Sequence, residues 1–102
     1  MLELRPICEN CATDLPPASS DARICSYECT FCRDCVENVL ENACPNCGSG
    51  CVPRPIRPAQ EWRNGVNRAA QSPTSEKKHQ PVDLNNQRDL IARLGATPPE
   101  QR

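Results

Sequence analysis

The chain has 102 residues and a formal net charge of −1, which is enough for one ordinary domain or for a small domain with a tail. The charge is uneven. Residues 1–51 carry eight acidic and three basic side chains, whereas residues 52–102 carry five acidic and nine basic ones. An anionic N-terminal half would repel the phosphate backbone of a nucleic acid, and this argues against a nucleic-acid partner.

The N-terminus does not resemble a targeting segment. Residues 1–6 are too short and too charged for a signal peptide. No apolar run approaches the roughly 18–20 residues that span a bilayer, so no membrane partner is predicted either. We therefore expect a cytoplasmic protein in a reducing compartment. Clustered cysteines there are more often metal ligands than disulfides, and the odd count of nine also argues against complete disulfide pairing.

Eight of the nine cysteines form four close pairs, all between residues 8 and 47. The pairs are Cys8 and Cys11, Cys25 and Cys29, Cys32 and Cys35, and Cys44 and Cys47. Such spacing is typical of tetrahedral four-thiolate sites, and eight ligands are enough for two Zn²⁺ ions. Iron is an open alternative, because a tetrahedral four-thiolate site accepts both metals. A core this small usually needs such metal staples to fold.

A short β-hairpin is predicted from Ile24 to Phe31. Alternation along a strand would place Cys25, Tyr27 and Cys29 on one face. Residues 12–23 before it form a loop that contains Pro16-Pro17, which excludes a regular helix or a central strand.

A short helix is predicted from Cys35, because Val36, Val39, Leu40 and Ala43 follow the helical i, i+3, i+4, i+7 pattern. We expect this apolar stripe to pack against the metal core. The pair Cys44 and Cys47 then closes the cysteine-rich region, which we delimit as residues 1–52.

Residues 53–102 are predicted to form a Pro/Arg-rich, largely disordered and flexible tail. Prolines alternate with arginines just after Cys51 and favour an extended arm, and the composition of residues 59–82 is typical of disorder. A short helix at 83–94 is predicted, with Asp83 as its N-cap and Gly95 at its end. Arg54, Arg57, Arg63 and Arg68 are interpreted as solvated, whereas Trp62 would either fold back or anchor a partner.

The spacing alone leaves two ways to share the ligands. Sequential pairing assigns the first four cysteines to one ion and the last four to the other. Interleaved pairing assigns the first and third pairs to one ion and the second and fourth pairs to the other.

The cysteine gaps resemble those of the RING finger, which binds two zincs in a cross-brace. Phe31 before the fifth ligand, the short helix after the sixth and Pro45 after the seventh strengthen the resemblance. It implies a small metal-stabilised α+β fold, a RING-like treble of zinc knuckles with one β-hairpin, one helix and two interleaved sites. The implied ligands are Cys8, Cys11, Cys32 and Cys35 for zinc 1, and Cys25, Cys29, Cys44 and Cys47 for zinc 2.

The chain departs from RING ubiquitin ligases at several positions. Cys29 stands where a histidine is commoner, and the polar Glu9 and Asn10 stand where ligases present an apolar residue to the conjugating enzyme. Ligase activity is therefore disfavoured. The whole head, from Met-Leu-Glu-Leu-Arg-Pro through Cys-Pro-Asn-Cys-Gly to the Arg-Pro-rich exit, also resembles a family of small uncharacterised bacterial cysteine-rich proteins. This resemblance implies a bacterial cytosolic zinc protein.

The sequence offers no positive support for an enzyme. It has no Ser/His/Asp group and no phosphate-binding glycine loop, and its single histidine, His79, lies in a polar stretch. No small-molecule substrate is evident. We expect a structural zinc-binding module that mediates protein–protein interaction. The alternative is a thiol–zinc redox sensor in which Cys51, the ninth cysteine, is the trigger.

Overall fold

The structure is a computed structural model that describes residues 1–102. Its elements are β1 (Ala22–Ile24), β2 (Thr30–Cys32), α1 (Arg33–Asn38), β3 (Val52–Pro53), α2 (Leu84–Leu94) and a final 3₁₀ turn (Pro99–Gln101). The three strands form an antiparallel sheet in the order β2-β1-β3. Neither helix is long and apolar enough to cross a membrane.

The predicted hairpin is present, but its turn is longer than expected. Strands β1 and β2 pair Ile24 with Thr30, and the amide of Cys25 then donates to the carbonyl of Cys29 at 3.1 Å. Glu28 adopts a left-handed φ of 66°. The prediction that Cys25, Tyr27 and Cys29 alternate along a strand is wrong, because these residues form the turn. The two cysteines are buried there, whereas Tyr27 is 72% exposed.

Helix α1 begins two residues earlier than predicted and ends earlier as well. The thiol of Cys32 caps it by accepting from the amide of Cys35. Its last residue is Asn38, and Glu41 and Asn42 then take left-handed φ angles of 50° and 57°. The predicted apolar pattern therefore marks burial rather than helix length. Leu40 is completely buried although it lies beyond the helix.

The core lies between the sheet, α1 and the N-terminal segment. Phe31, Leu15, Leu40 and Val36 pack there among buried cysteines. Cysteine side chains thus supply much of the interior, as is typical of a domain too small for an extensive apolar core.

Strand β3 was not predicted, because Pro53 lies within it and Pro55 follows two residues later. Val52 and Pro53 pair with Ile24 and Arg23 of β1 at the edge of the sheet, where a proline removes no ladder hydrogen bond from a central strand. The pairing turns the start of the expected free arm into a part of the domain.

Arg54, which follows β3, is a structural residue and not a solvated one. Its side chain is 4% exposed. The guanidinium donates to the carbonyls of Arg5 at 2.8 Å, Leu15 at 3.3 Å and Pro16 at 3.1 Å. Burial lowers its pKa from the ordinary value. Arg54 therefore fastens both ends of the segment that carries the first two cysteines.

Residues between β3 and α2 form no helix or strand, and the flexibility of this tail stays a prediction. Trp62 is 75% exposed and does not fold back onto the core. Helix α2 begins after Asp83, whose carboxylate accepts from the amides of Asn85 and Asn86, and Gly95 with a φ of 55° ends it.

Candidate metal centre

Four thiols from two distant segments meet at the N-terminus of α1. The Sγ atoms of Cys8, Cys11, Cys32 and Cys35 all lie within 4.8 Å of one another; we call them the first cluster. Those of Cys11 and Cys32 are 3.7 Å apart. A tetrahedral Zn²⁺ with Zn–S bonds of about 2.3 Å requires sulfur separations of about 3.8 Å. The first cluster therefore fits a four-thiolate metal ion.

Local backbone geometry positions each pair of the first cluster. The Cys8 amide donates to the carbonyl of Thr13, and the Ala12 amide donates to the carbonyl of Cys8, both at 2.9 Å. Ala12 has a left-handed φ of 63°. This tight turn holds Cys11 close to Cys8, while Cys32 and Cys35 are fixed by the start of α1.

Polar donors surround the sulfurs of the first cluster. The side-chain amide of Asn10 donates to Cys35 Sγ at 3.2 Å. The hydroxyl of Thr13 lies 3.0 Å from Cys11 Sγ, and the amide of Cys35 donates to Cys32 Sγ at 3.4 Å. Donors of this kind stabilise thiolates and orient metal ligands.

The thiols of the first cluster differ in acidity. Burial acts to raise the pKa of Cys11, but hydrogen bonds from Thr13 and from its cysteine neighbours outweigh burial and lower the pKa to about 6. Burial raises the pKa of Cys32 and of Cys35. Four thiolates this close repel one another, and a divalent cation would reverse that penalty.

A second group of three thiols joins Cys25, at the start of the β1–β2 turn, to the pair Cys44 and Cys47. The Sγ atoms of Cys25, Cys44 and Cys47 all lie within 4.8 Å of one another; we call them the second cluster. Cys29, the predicted fourth ligand, is 6% exposed and close by, but its sulfur is not within that distance of all three. The second cluster is also compatible with a metal ion, although it is less complete.

The second cluster has its own set of donors. The amide of Tyr27 donates to Cys25 Sγ at 3.3 Å, and the amide of Asn46 donates to Cys44 Sγ at 3.4 Å. The Asn46 side chain donates to Cys29 Sγ at 3.4 Å. Ser49 Oγ lies 3.0 Å from Cys47 Sγ. Burial raises the pKa of Cys44.

Cys51, the ninth cysteine, packs partly buried against the core and is in neither cluster. Burial, followed by the charges of Cys25, Cys47 and Cys29, raises its pKa to about 12. A thiol with so high a pKa is a weak nucleophile at neutral pH.

Each cluster combines cysteines from pairs that are not adjacent in the sequence, which is the interleaved arrangement and not the sequential one. The first cluster joins the first and third pairs, and the second cluster joins Cys25 to the fourth pair. The polar side chains of Asn10, Thr13, Asn46 and Ser49 beside the sulfurs were not predicted from the sequence. Their signal is positional, because each lies inside a Cys-x-x-Cys turn or two residues after it.

Glu9, inside the first turn, is a buried carboxylate with an exposed fraction of 2%. It accepts from the guanidinium of Arg5 at 2.8 Å and from the amide of Thr30 at 2.6 Å. It thereby ties the turn between Cys8 and Cys11 to β2, which leads to Cys32.

Comparison with known proteins assigns the N-terminal part of the chain to a family. No solved structure matches the chain. An uncharacterized protein of Rhizobium meliloti (strain 1021) is 61% identical over 59 residues, which are 58% of this chain and 70% of that protein. The family described as "Protein of unknown function (DUF1272)" has a model that matches residues 1–57, which include all nine cysteines. The chain belongs to this family.

Proposed function

We propose that the protein is a zinc-binding module in which two Zn²⁺ ions hold the N-terminal domain together. The first cluster carries the proposal. Its four sulfurs come from segments more than twenty residues apart and all lie within 4.8 Å of one another. The sulfurs of Cys11 and Cys32 are 3.7 Å apart, close to the separation that one tetrahedral ion requires. Thiols brought this close without a disulfide need a cation to offset their mutual repulsion once ionised.

The second ion belongs to Cys25, Cys44 and Cys47, with Cys29 as the fourth ligand. Cys29 is buried beside them, and Asn46 contacts the sulfurs of both Cys29 and Cys44. This assignment gives the RING-like cross-brace that the sequence resembles.

The proposed role of both ions is structural. Four thiolates leave no open coordination position at zinc, and a catalytic zinc requires one. We therefore propose no enzymatic activity. Ligase-like chemistry is further disfavoured, because Glu9 is buried and both oxygens of Asn10 accept hydrogen bonds from the C-terminal region.

We propose a protein as the partner. Tyr27 and Trp62 are both largely exposed, and aromatic side chains of this kind are enriched among the residues that dominate binding energy at interfaces. Cys51 gives little support to the redox alternative, because its thiol is partly buried and burial raises its pKa, which disfavours the reactive thiolate.

Native mass spectrometry of the full chain, with a free-thiol count, tests the metal proposal. We expect two zinc ions per chain, eight thiols that react only after chelation, and a ninth, Cys51, that reacts slowly in the folded protein because it is partly buried. Removal of the metal by a chelator should unfold the domain cooperatively. A protein without metal that keeps its fold, or one that contains oxidised cysteines, would contradict the proposal.

Crosslinking in cell extract tests the partner proposal separately. Metal-loaded protein should crosslink to a defined protein, and the product should diminish in Tyr27→Ala or Trp62→Ala variants that still bind two zinc ions. Equal crosslinking by both variants and by the chelated protein would indicate non-specific contact.

A further inference from the structure

The last 24 residues run across the domain that holds the two clusters. We call residues 79–102 the C-terminal strap. At its start, His79 Nε2 lies 3.1 Å from the carbonyl of Asn10, and the Gln80 amide donates to the carbonyl of Glu9 at 2.8 Å. The Val82 amide donates to Asn10 Oδ1 at 2.9 Å. The strap therefore begins on the turn between the first two cysteines.

The middle of the strap is anchored by one buried side chain. Gln87 of α2 is 3% exposed, and its Nε2 donates to the carbonyls of Leu40 at 3.0 Å and Ala43 at 2.9 Å. Ala43 directly precedes Cys44 of the second cluster. The Oε1 atom of Gln87 has no hydrogen-bond partner. The two N–H groups of the Gln87 side chain therefore make its hydrogen bonds to the domain.

The end of the strap reaches the loop around Cys47. The guanidinium of Arg102 donates to the carbonyls of Asn42 at 2.7 Å and Gly48 at 3.1 Å. Pro99 approaches Gly50 so closely that a Cβ on Gly50 would lie 3.0 Å from its ring. One continuous segment thus contacts the surroundings of both clusters.

Asn10 links the strap directly to a sulfur of the first cluster. Its Nδ2 donates to Cys35 Sγ, while its Oδ1 accepts from the Val82 amide. Both ends of one amide are used, so its orientation suits the sulfur and the strap at the same time. When the strap leaves, the amide loses the contact that fixes this orientation.

We propose that the C-terminal strap is an intramolecular latch that retains the metal, and that strap docking and metal binding stabilise each other. The inference rests on the proposed metal binding. Coupling between two such events is reciprocal, so a docked strap slows metal loss, and metal loss releases the strap. The family model ends at residue 57, so the latch lies outside the region that this match covers.

The full-length zinc-loaded protein with Gln87→Ala tests the latch, and Asn85→Ala is the matched control. Asn85 is an exposed amide on the same helix whose side chain makes no hydrogen bond. Hydrogen exchange at Gln80 and Val82 measures strap opening, and native mass spectrometry in excess chelator measures metal release. Gln87→Ala should speed both, with metal release about tenfold faster, since two hydrogen bonds are lost. Asn85→Ala should match the wild type.

The two readouts separate a latch from a general loss of stability. With both ions still bound, the amide of Arg33, bonded to Asp21 in the domain, should stay protected in Gln87→Ala while the strap amides exchange. An opened strap with unchanged metal release would overturn the latch and leave the metal proposal intact. Strap amides that stay protected would overturn it too, and a wild type that binds no metal would refute both proposals.

Arg102→Ala provides a second test if Gln87→Ala fails to fold. The guanidinium is exposed, so its removal leaves the core unchanged. We expect metal release to quicken by about threefold, with the loss of contacts near one cluster only. Release at the wild-type rate would contradict the latch.

Discussion

The two cysteine clusters use the same local chemistry but are closed to different degrees. In the first cluster all four sulfurs are mutually within 4.8 Å, whereas only three are in the second. At least one backbone amide and one hydroxyl are directed at the sulfurs of each cluster. A side-chain amide donates to Cys35 of the first cluster and another to Cys29 beside the second. The difference therefore lies in the backbone that carries the ligands.

The first cluster is held by segments that are fixed for other reasons. Arg54 fastens the ends of the loop that carries Cys8 and Cys11, and Cys32 and Cys35 are placed by the cap of α1. Cys29, by contrast, follows the left-handed Glu28 at the end of a turn. We infer that the first cluster is preorganised for metal and that binding itself completes the second.

The largest expected effect comes from removing one ligand from each cluster. Cys8→Ala should lose the first metal and unfold the domain, because apparent zinc binding of about 10–16 kcal/mol matches or exceeds a domain's stability of about 5–15 kcal/mol. Cys47→Ala, at an exposed ligand, should lose the second metal and keep the first. Native mass and far-UV circular dichroism measure both effects. A Cys47→Ala protein without any metal would show that the clusters are not separable.

The grouping of the cysteines was partly predictable, because their spacing is read directly from the sequence. The gaps between cysteines indicated two four-thiolate sites but left the pairing open, and the resemblance to RING fingers favoured the grouping that the folded chain displays for seven cysteines. The short helix was also predicted. Its early end was not, since the apolar pattern continues through Leu40 and Ala43 while the backbone turns at Glu41.

What escaped prediction depends on side chains that bind backbone carbonyls. Arg54 and Gln87 are buried and act only through such bonds. A carbonyl acceptor exists at every residue, so no pattern in the sequence tells which one an arginine or a glutamine will reach. By composition both residues are typical of a solvated tail.

The variants Cys29→Ala and Cys51→Ala test which cysteine is the fourth ligand of the second metal. Cys29→Ala should reduce the affinity for the second metal by more than a hundredfold, because a thiolate bond is lost and water must replace it. Cys51→Ala should leave two metals bound, since Cys51 is in neither cluster. Competition with a calibrated chelator measures both affinities. Loss of a metal in Cys51→Ala, with retention in Cys29→Ala, would reassign the ligand.

Two asparagines allow the hydrogen bonds around the sulfurs to be compared. Asn10→Asp and Asn46→Asp each replace an N–H donor by a carboxylate oxygen facing sulfur. We expect a loss of about 10–100-fold in affinity, confined to the cluster that carries the change. The Asn10 bond is the shorter, at 3.2 Å against 3.4 Å, so the first cluster should lose more. Equal losses at both sites from either variant would show that the effect is global.

The smallest expected difference is in pH dependence, and it originates at Cys11. The pKa of Cys11 in the folded chain, about 6, lies below the ordinary thiol pKa of about 8.5. The contribution of its ionisation to the folded state is therefore complete above about pH 8.5 and is lost as the pH falls towards 6. Metal must displace protons from thiols with raised pKa in both clusters, including Cys35 and Cys44. Because Cys11 is already ionised at pH 7, the first cluster should keep its metal to lower pH.

Thr13→Val tests the origin of that advantage. It removes the hydroxyl that lies 3.0 Å from Cys11 Sγ, so the pKa of Cys11 should rise. The first metal should then be lost at a pH higher by a few tenths of a unit, because one hydrogen bond of about 1 kcal/mol is shared among several thiols. Thr13→Ser keeps the hydroxyl and should behave as the wild type. Ser49→Ala makes the equivalent change beside Cys47 and should shift only the second metal. If Thr13→Val moved both midpoints equally, the hydroxyl would act on the fold as a whole and not on the ionisation of Cys11.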